Sequence, residues 1–204
     1  MKNSPSIFLI PLLLLCLLGE SHAFVKEHLD QLLETRTCEA CDLSFANFEF
    51  LNLKDVNLKG ANLEGAQLSN VYLTGANLES ANLESANLAG AELKRVNLSN
   101  ANLKRAILTR TGFMNADLSG AILRKSYAIN ADFENARLTD ADLGFANLFW
   151  ANFAGARLDN TSFKNAYLRK VRFDGARLKK AVFDNATWDD CNVCKTGSLG
   201  RCLR

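Results

Sequence analysis

The sequence predicts an all-β solenoid of four-sided coils, twenty residues per coil, with a short helix over its first coil. Three observations predict it. Leu or Phe stands at every fifth position from Leu43 to Phe183, broken only by Ala128, and Trp188 and Val193 close the series. Two residues before each sits a small side chain, as at Ala46, Ala61, Ala66, Ala76 and Ala81; Leu51 alone is large there, and the residue between is usually Asn or Asp. Positions divisible by five are Gly or Asn in half the units, Gly60, Gly75, Asn100 and Asn135 among them.

A period of five fits neither helix nor simple strand. Within a unit the two apolar residues are two apart, so an extended step points both to one side. The other two residues must turn the chain, and Gly or Asn tolerates the positive φ at the third position of a type II turn. Four such corners close a circuit. Stacked at about 4.7–4.9 Å, seven to eight coils make a rod roughly 35–40 Å long. Leu58, Leu78, Leu98 and their successors to Leu178 form one internal column, and Phe113, Phe133, Phe153 and Phe173 another. Each coil contacts mainly its neighbours, so both ends need caps.

The unit A-(N/D)-L-x-x, repeated about thirty times between Cys41 and Val193, resembles that of the pentapeptide-repeat proteins. The resemblance implies a right-handed quadrilateral β-helix. It says little about function.

Residues 1–23 read as a secretory signal peptide. Lys2 supplies a positive start, Ile7 to Leu18 an apolar run, and Ser21-His22-Ala23 a small-x-small cleavage site. The run is too short to span a bilayer, so no membrane span is expected after cleavage. Cys16 follows Leu15, too bulky for the usual lipoprotein signal. Residues 24–40 are expected to form the N-terminal cap, with an amphipathic helix over 25–37 presenting Val25, Leu29, Leu32 and Leu33 on one face. Repeats fill 41–193, and 194–204 form the C-terminal cap.

Export leads to an oxidising compartment and favours disulfides. The candidates are Cys38, Cys41, Cys194 and Cys202, pairing Cys38 with Cys41 and Cys194 with Cys202, while Gly197 and Gly200 turn the tail back. Cys191–Cys194 with Cys202 free is the alternative, and Cys191 also fits a buried inward thiol. The two C-x-x-C pairs fall at opposite ends of the rod and cannot share a zinc ion. The tail from Trp188 to Cys202 resembles the C-terminal cap of exported family members.

Little in the chain suggests catalysis. His22 leaves with the signal, His28 lies in the cap, and the repeats hold no histidine. No P-loop, GxSxG or dinucleotide fingerprint occurs. No enzyme activity, cofactor or metal is expected.

Stacking outward residues by twenties gathers large apolar side chains on one face. Ile107, Tyr127 and Tyr167 share a row, Ile129 and Phe149 the next, and Phe145 and Trp150 sit at the flanking corners. Such a patch marks an interface with a protein partner or a second copy. Alternatively, Tyr127 or Ile129 turns inward where the coil deforms around Ala128, repairing the core. Arg137, Arg157 and Arg177 form a further row, with Asp140 and Asp159 near enough to offset it.

The expected function is an exported, non-catalytic interaction scaffold in the periplasm, with the thylakoid lumen or the medium as alternative destinations. The resemblance raises a second reading, since some family members mimic duplex DNA and protect gyrase. Mimicry of a polyanion needs a strongly acidic surface. This chain has 24 Lys plus Arg against 22 Asp plus Glu, a net charge of +2, and no nucleic-acid partner is expected.

Overall fold

The structure, a computed structural model, describes residues 26–188 and 194–201. The signal segment, Val25, Cys191, Val193 and Cys202 lie outside the described residues.

The chain coils with a repeat of twenty. Parallel bridges join one residue of each unit to the one twenty ahead, from Thr37↔Asn57 to Tyr167↔Thr187. The register therefore begins at Thr37, earlier than the expected start at Cys41. The bridging residue is always the middle one of A-(N/D)-L, and each side of the square carries a single bridge rather than a strand. Two of every five residues turn the corner, which leaves no room for a longer ladder.

The unit Ala76–Ser80 shows how the backbone is satisfied. The Ala76 amide closes the preceding turn on the Leu73 carbonyl at 3.0 Å. Asn77 donates to Val56 of the coil before (2.9 Å), and Leu78 and Ser80 donate to Asn97 and Ser99 of the coil after, at 2.7 and 2.9 Å. The fifth amide, of Glu79, donates to the Asn77 side-chain Oδ1 at 3.2 Å. All five donors of the unit are used, as buried or half-buried backbone demands.

Every position divisible by five from Ala40 to Asn185 has φ between +52° and +73°. The positive φ lies at the third residue of each turn, where a type II turn needs it. The expectation named Gly and Asn for this role, yet Phe45, Phe50, Phe145, Trp150 and several Arg and Lys adopt it too. The left-handed conformation costs an L-residue roughly 1–2 kcal/mol. The turn bond and the inter-coil bonds of each corner offset that cost, so composition at corners is freer than the turn alone suggests. Gly65 has an added reason to lack a side chain: a Cβ there would lie 2.4 Å from Cε1 of the Phe45 ring one coil away.

Leu, Phe and Ala fill the interior. Phe113, Phe133 and Phe153 stack nearly parallel, with centroids 4.8 and 4.6 Å apart, the spacing of the coils themselves. Phe163 and Phe183 form a second stack at 5.2 Å. Ala128 is fully buried, and the coil does not deform there. Its amide donates to Asn147 at 2.8 Å and its carbonyl accepts from Ala131 at 3.2 Å, like any other unit. Tyr127 remains 55 % exposed, so it does not turn in to repair the gap.

The N-terminal cap is helix α1, Lys26–Thr35, shorter than the expected 25–37 because Arg36 takes φ +61° and Thr37 already bridges to Asn57. Leu29 and Leu32 are buried, whereas Leu33 is 45 % exposed and does not join the apolar face. Cys38 and Cys41 are disulfide-bonded, and both are buried. They occupy the inward positions on either side of the first corner, so the bond ties the end of the core. His28 Nδ1 accepts the Asp42 amide at 3.0 Å, fastening the helix to the coil.

At the other end the tail doubles back. Val182 bridges Leu199 antiparallel, Phe183 donates to Ser198 at 2.8 Å, and Cys194 donates to Ala186 at 2.9 Å. Gly197 and Gly200 have φ +88° and +68°, and Asp184 Oδ1 accepts the Gly197 amide at 2.7 Å. Trp188 stacks on Phe173 at 5.7 Å and meets Phe183 edge-on at 5.5 Å, closing the core. Cys194 is disulfide-bonded; Cys191 and Cys202 both fall outside the described residues, and the two pairings stay open.

Candidate interaction face

The outward middle residue of each unit has a default role. As Asn it holds the fourth amide of its own unit, and it also bonds its counterpart one coil away. Asn62, Asn82 and Asn102 donate through Nδ2 to Asp42, Asn62 and Asn82 at 3.1, 3.1 and 3.0 Å. Asn77 and Asn97 continue a second ladder from Asn57 at 3.1 and 3.2 Å. The sequence shows Asn at this position without revealing this work. The signal was its frequency at a position that points outward.

Two carboxylates are drawn into these ladders. The Asp42 carboxyl is held below its ordinary value chiefly by hydrogen bonds from Ser44. Glu84 is held below its own by Lys104, 3.1 Å away, and then by Asn102.

The Asn ladders give way on every face, to Asp117 and Arg137 beyond Asn97, to Ile122 and Asp142 beyond Asn102, and to Tyr72 and Glu92 beyond Asn52, but on one face large apolar side chains take over in succession. Its middle column runs Asn47, Gln67, Asn87, then Ile107, Tyr127, Asn147 and Tyr167. Ile107, Tyr127 and Tyr167 share the expected row, with Asn147 between the last two. Ile107, Tyr127, Phe145 and Trp150 are exposed, Trp150 by 57 %, whereas Ile129, Phe149 and Tyr167 are half-buried. The Phe149 ring lies 6.1 Å from both the Trp150 and the Tyr167 rings. Arg169 donates to the Tyr167 hydroxyl at 3.3 Å, and Arg124 lies over the Phe145 ring at 5.3 Å. All seven residues expected in the patch therefore share one side of the rod with its two corners. An open groove of about 580 Å³ runs along it, lined by Ser85, Lys104, Arg105, Ile107, Lys125 and Tyr127.

The repeat unit and the unbroken twenty-residue register decide what kind of protein this is. The family profile described as pentapeptide repeats matches residues 41–79 and 72–110, and that of the pentapeptide repeat region matches 106–183. The chain belongs to the pentapeptide-repeat family. A trypsin-treated variant of QnrB1, a plasmid-mediated fluoroquinolone resistance protein, is similar in fold, with a TM-score of 0.58 at 17 % identity over 69 % of this chain and 79 % of that one. A second QnrB1 variant gives 0.53 at 18 % identity over 78 % and 76 %. A pentapeptide repeat protein of the Arabidopsis thaliana thylakoid lumen is 28 % identical over 44 % of this chain and 66 % of its own, with a TM-score of 0.37. A search of curated protein sequences finds no match.

Other features of this pentapeptide-repeat chain are structural. The Arg row is present, with Arg157 bridged between Arg137 and Arg177. Its partners differ in part from expectation: Arg137 lies 3.8 Å from Asp117 and Arg177 3.0 Å from Asp159, while Asp140 accepts a bond from Asn160. Further apolar side chains stand outside the expected patch. Phe50 is 68 % exposed, and Tyr72 lies under Lys54 at 5.7 Å. Among the described residues no group of His, Cys, Asp and Glu is placed to hold a metal, and no helix is long and apolar enough to cross a membrane.

Proposed function

We propose that this pentapeptide-repeat protein is an exported, non-catalytic scaffold: a right-handed four-sided rod, stapled at its ends, that binds a protein partner through its aromatic face. One observation carries the reading. Asn at the middle position stabilises the coil on two counts, yet this face replaces it with Ile107, Tyr127 and Tyr167 beside Phe149 and Trp150. A fold that gives up ladder bonds to expose Tyr and Trp favours recognition over stability. The apolar start of the chain and the buried disulfide at the first corner support export to an oxidising compartment, with the periplasm as its destination.

The alternative is protection of a topoisomerase by mimicry of duplex DNA. It is disfavoured by the near-neutral charge. The test is capture from envelope extract with the protein beside a Phe149→Asp, Trp150→Asp variant. A partner retained by the first and lost by the second, with melting unchanged, supports the scaffold. Equal capture by both would refute this face as the binding surface.

A further inference from the structure

The aromatic face has a second property, and it concerns charge. From Ser85 to Lys170 none of its outward positions or corners is Asp or Glu. The other three faces carry carboxylates over the same coils, among them Glu92, Asp117, Asp132 and Asp142. The aromatic face carries cations instead. Arg105 and Lys125 are stacked on one corner, Arg110 stands on the opposite one, and the apolar row lies between. Among the described residues no carboxylate is within ion-pair distance of these three; Glu84, which bounds the stretch on the same corner, is paired with Lys104 at 3.1 Å and feels the Arg105 charge.

We propose that the occupant of this face is an acidic amphipathic protein segment. Its apolar side chains cover Ile107 and Tyr127, and its carboxylates meet Arg105 and Lys125 on one flank and Arg110 on the other. The inference rests on the reading of this face as a protein-binding surface and names the chemistry of the partner. Charge argues against a second copy docked by the same face, since a two-fold contact would set like cations against each other. Size argues for a segment rather than a domain. The carboxylate-free stretch spans four to five coils, roughly 15–20 Å, the length of about five or six residues of extended chain. Shape argues against a lipid surface, because Ile107 and Tyr127 line an open groove beside Arg105 and Lys125, which a side chain can enter and a flat bilayer cannot.

The probe is a displayed library of random twelve-residue peptides, selected on the immobilised full chain. The comparison is the Arg105→Glu, Arg110→Glu, Lys125→Glu variant. All three residues sit at exposed corners with φ near +60°, and Glu suits that backbone as well as Arg or Lys; because Arg105 also faces Glu84, melting is compared with the parent and a second variant, Arg110→Glu with Lys125→Glu, leaves that contact intact. Selected peptides are expected to interleave Asp or Glu with Leu, Ile or Phe. Their binding falls at least about tenfold in the variant and weakens with added salt. Peptides of neutral composition, or binding indifferent to charge reversal, overturn the inference while leaving protein recognition by the aromatic residues standing. So does an empty selection, or adsorption to phosphatidylglycerol vesicles that the same reversal abolishes. An empty selection together with no captured partner sinks both readings.

Discussion

Asn82 donates its Nδ2 to Asn62 Oδ1 at 3.1 Å, and its own Oδ1 receives Asn102 Nδ2 at 3.0 Å and the Glu84 amide at 3.2 Å. One half-buried amide thus links three coils and completes a turn. Removing it leaves two neighbours and one backbone donor to be served by water alone. With roughly 0.5–1.5 kcal/mol net per bond, Asn82→Ala is expected to destabilise by about 2 kcal/mol. Asn82→Asp keeps the acceptor but sets a carboxylate oxygen against Asn62 Oδ1 and Glu64 Oε2, so it is expected to cost at least as much. Urea midpoints of the two variants check the order; equal, negligible shifts would remove the ladder from the account of stability.

The core should gain from filling its one gap. Ala128 stands in a column where Leu108 and Leu148 are its neighbours one coil away, and the backbone around it is regular. Beside it the buried Ser126 hydroxyl has no hydrogen-bond partner. Ala128→Leu is expected to stabilise by about 1 kcal/mol or more, and Ser126→Ala by about 1 kcal/mol. A fall in melting temperature for Ala128→Leu would show that Leu108 and Leu148 have already closed the space.

Much of this architecture is legible in the sequence because inward positions obey one rule: Leu or Phe at every fifth residue leaves a single way to count, and the twenty-residue columns follow. Corners are less legible. The inter-coil bonds hold the left-handed conformation at Phe45 and Trp150, so the residue type no longer reports it. Leu33 misled because an apolar helical stripe does not show how much of itself the end of a narrow rod can cover. The site was legible as a cluster of aromatics. The missing carboxylates were not, since an absence emerges only when all columns of one face are laid side by side.

Reduction should loosen the first coil more than the rest. Cys38 and Cys41 flank the first corner, and α1 packs Leu29 and Leu32 over the same end. Closing so short a loop is worth about 2 kcal/mol on the chain-entropy estimate. Cys38→Ser with Cys41→Ser is expected to cost about that much. Amide exchange should rise chiefly at Leu43, Phe45 and Phe48, while units near Phe133 keep their protection. Uniform loss along the rod would show that the end does not fray independently.

Acid should remove a contribution made by Glu84. Its carboxyl titrates below the ordinary 4.5 in the fold, mainly through hydrogen bonding to Lys104 and then to Asn102. A depressed folded value means the charged form is favoured by folding. That contribution is complete above 4.5 and is lost as pH falls through the lowered value. The Glu84→Gln variant is therefore expected to melt below the parent at neutral pH, the gap narrowing as pH drops under 4.5. Because the pair is partly exposed, the gap should also shrink with salt. A gap that widens in acid would reverse the sign assigned to Glu84.

The sharpest consequence is a trade between stability and binding on the aromatic face. Ile107 follows Asn87 in the middle column, and Asn87 still receives no ladder bond from it. An Asn at that position would reach back to Asn87 Oδ1 as Asn102 does to Asn82, and its own Oδ1 would take the Thr109 amide. Ile107 is 40 % exposed, so Ile107→Asn gives up only part of an Ile side chain's burial, and Asn keeps the contacts of the inner atoms. With two bonds gained, the variant is expected to be more stable by about 0.5–1 kcal/mol. Tyr127→Asn extends the same ladder to Asn147. The pair together should raise the melting temperature and abolish capture of the partner, the opposite of what a core-repair role for Tyr127 predicts. Lower stability with capture intact would mean that these side chains serve the fold and that the binding surface lies elsewhere.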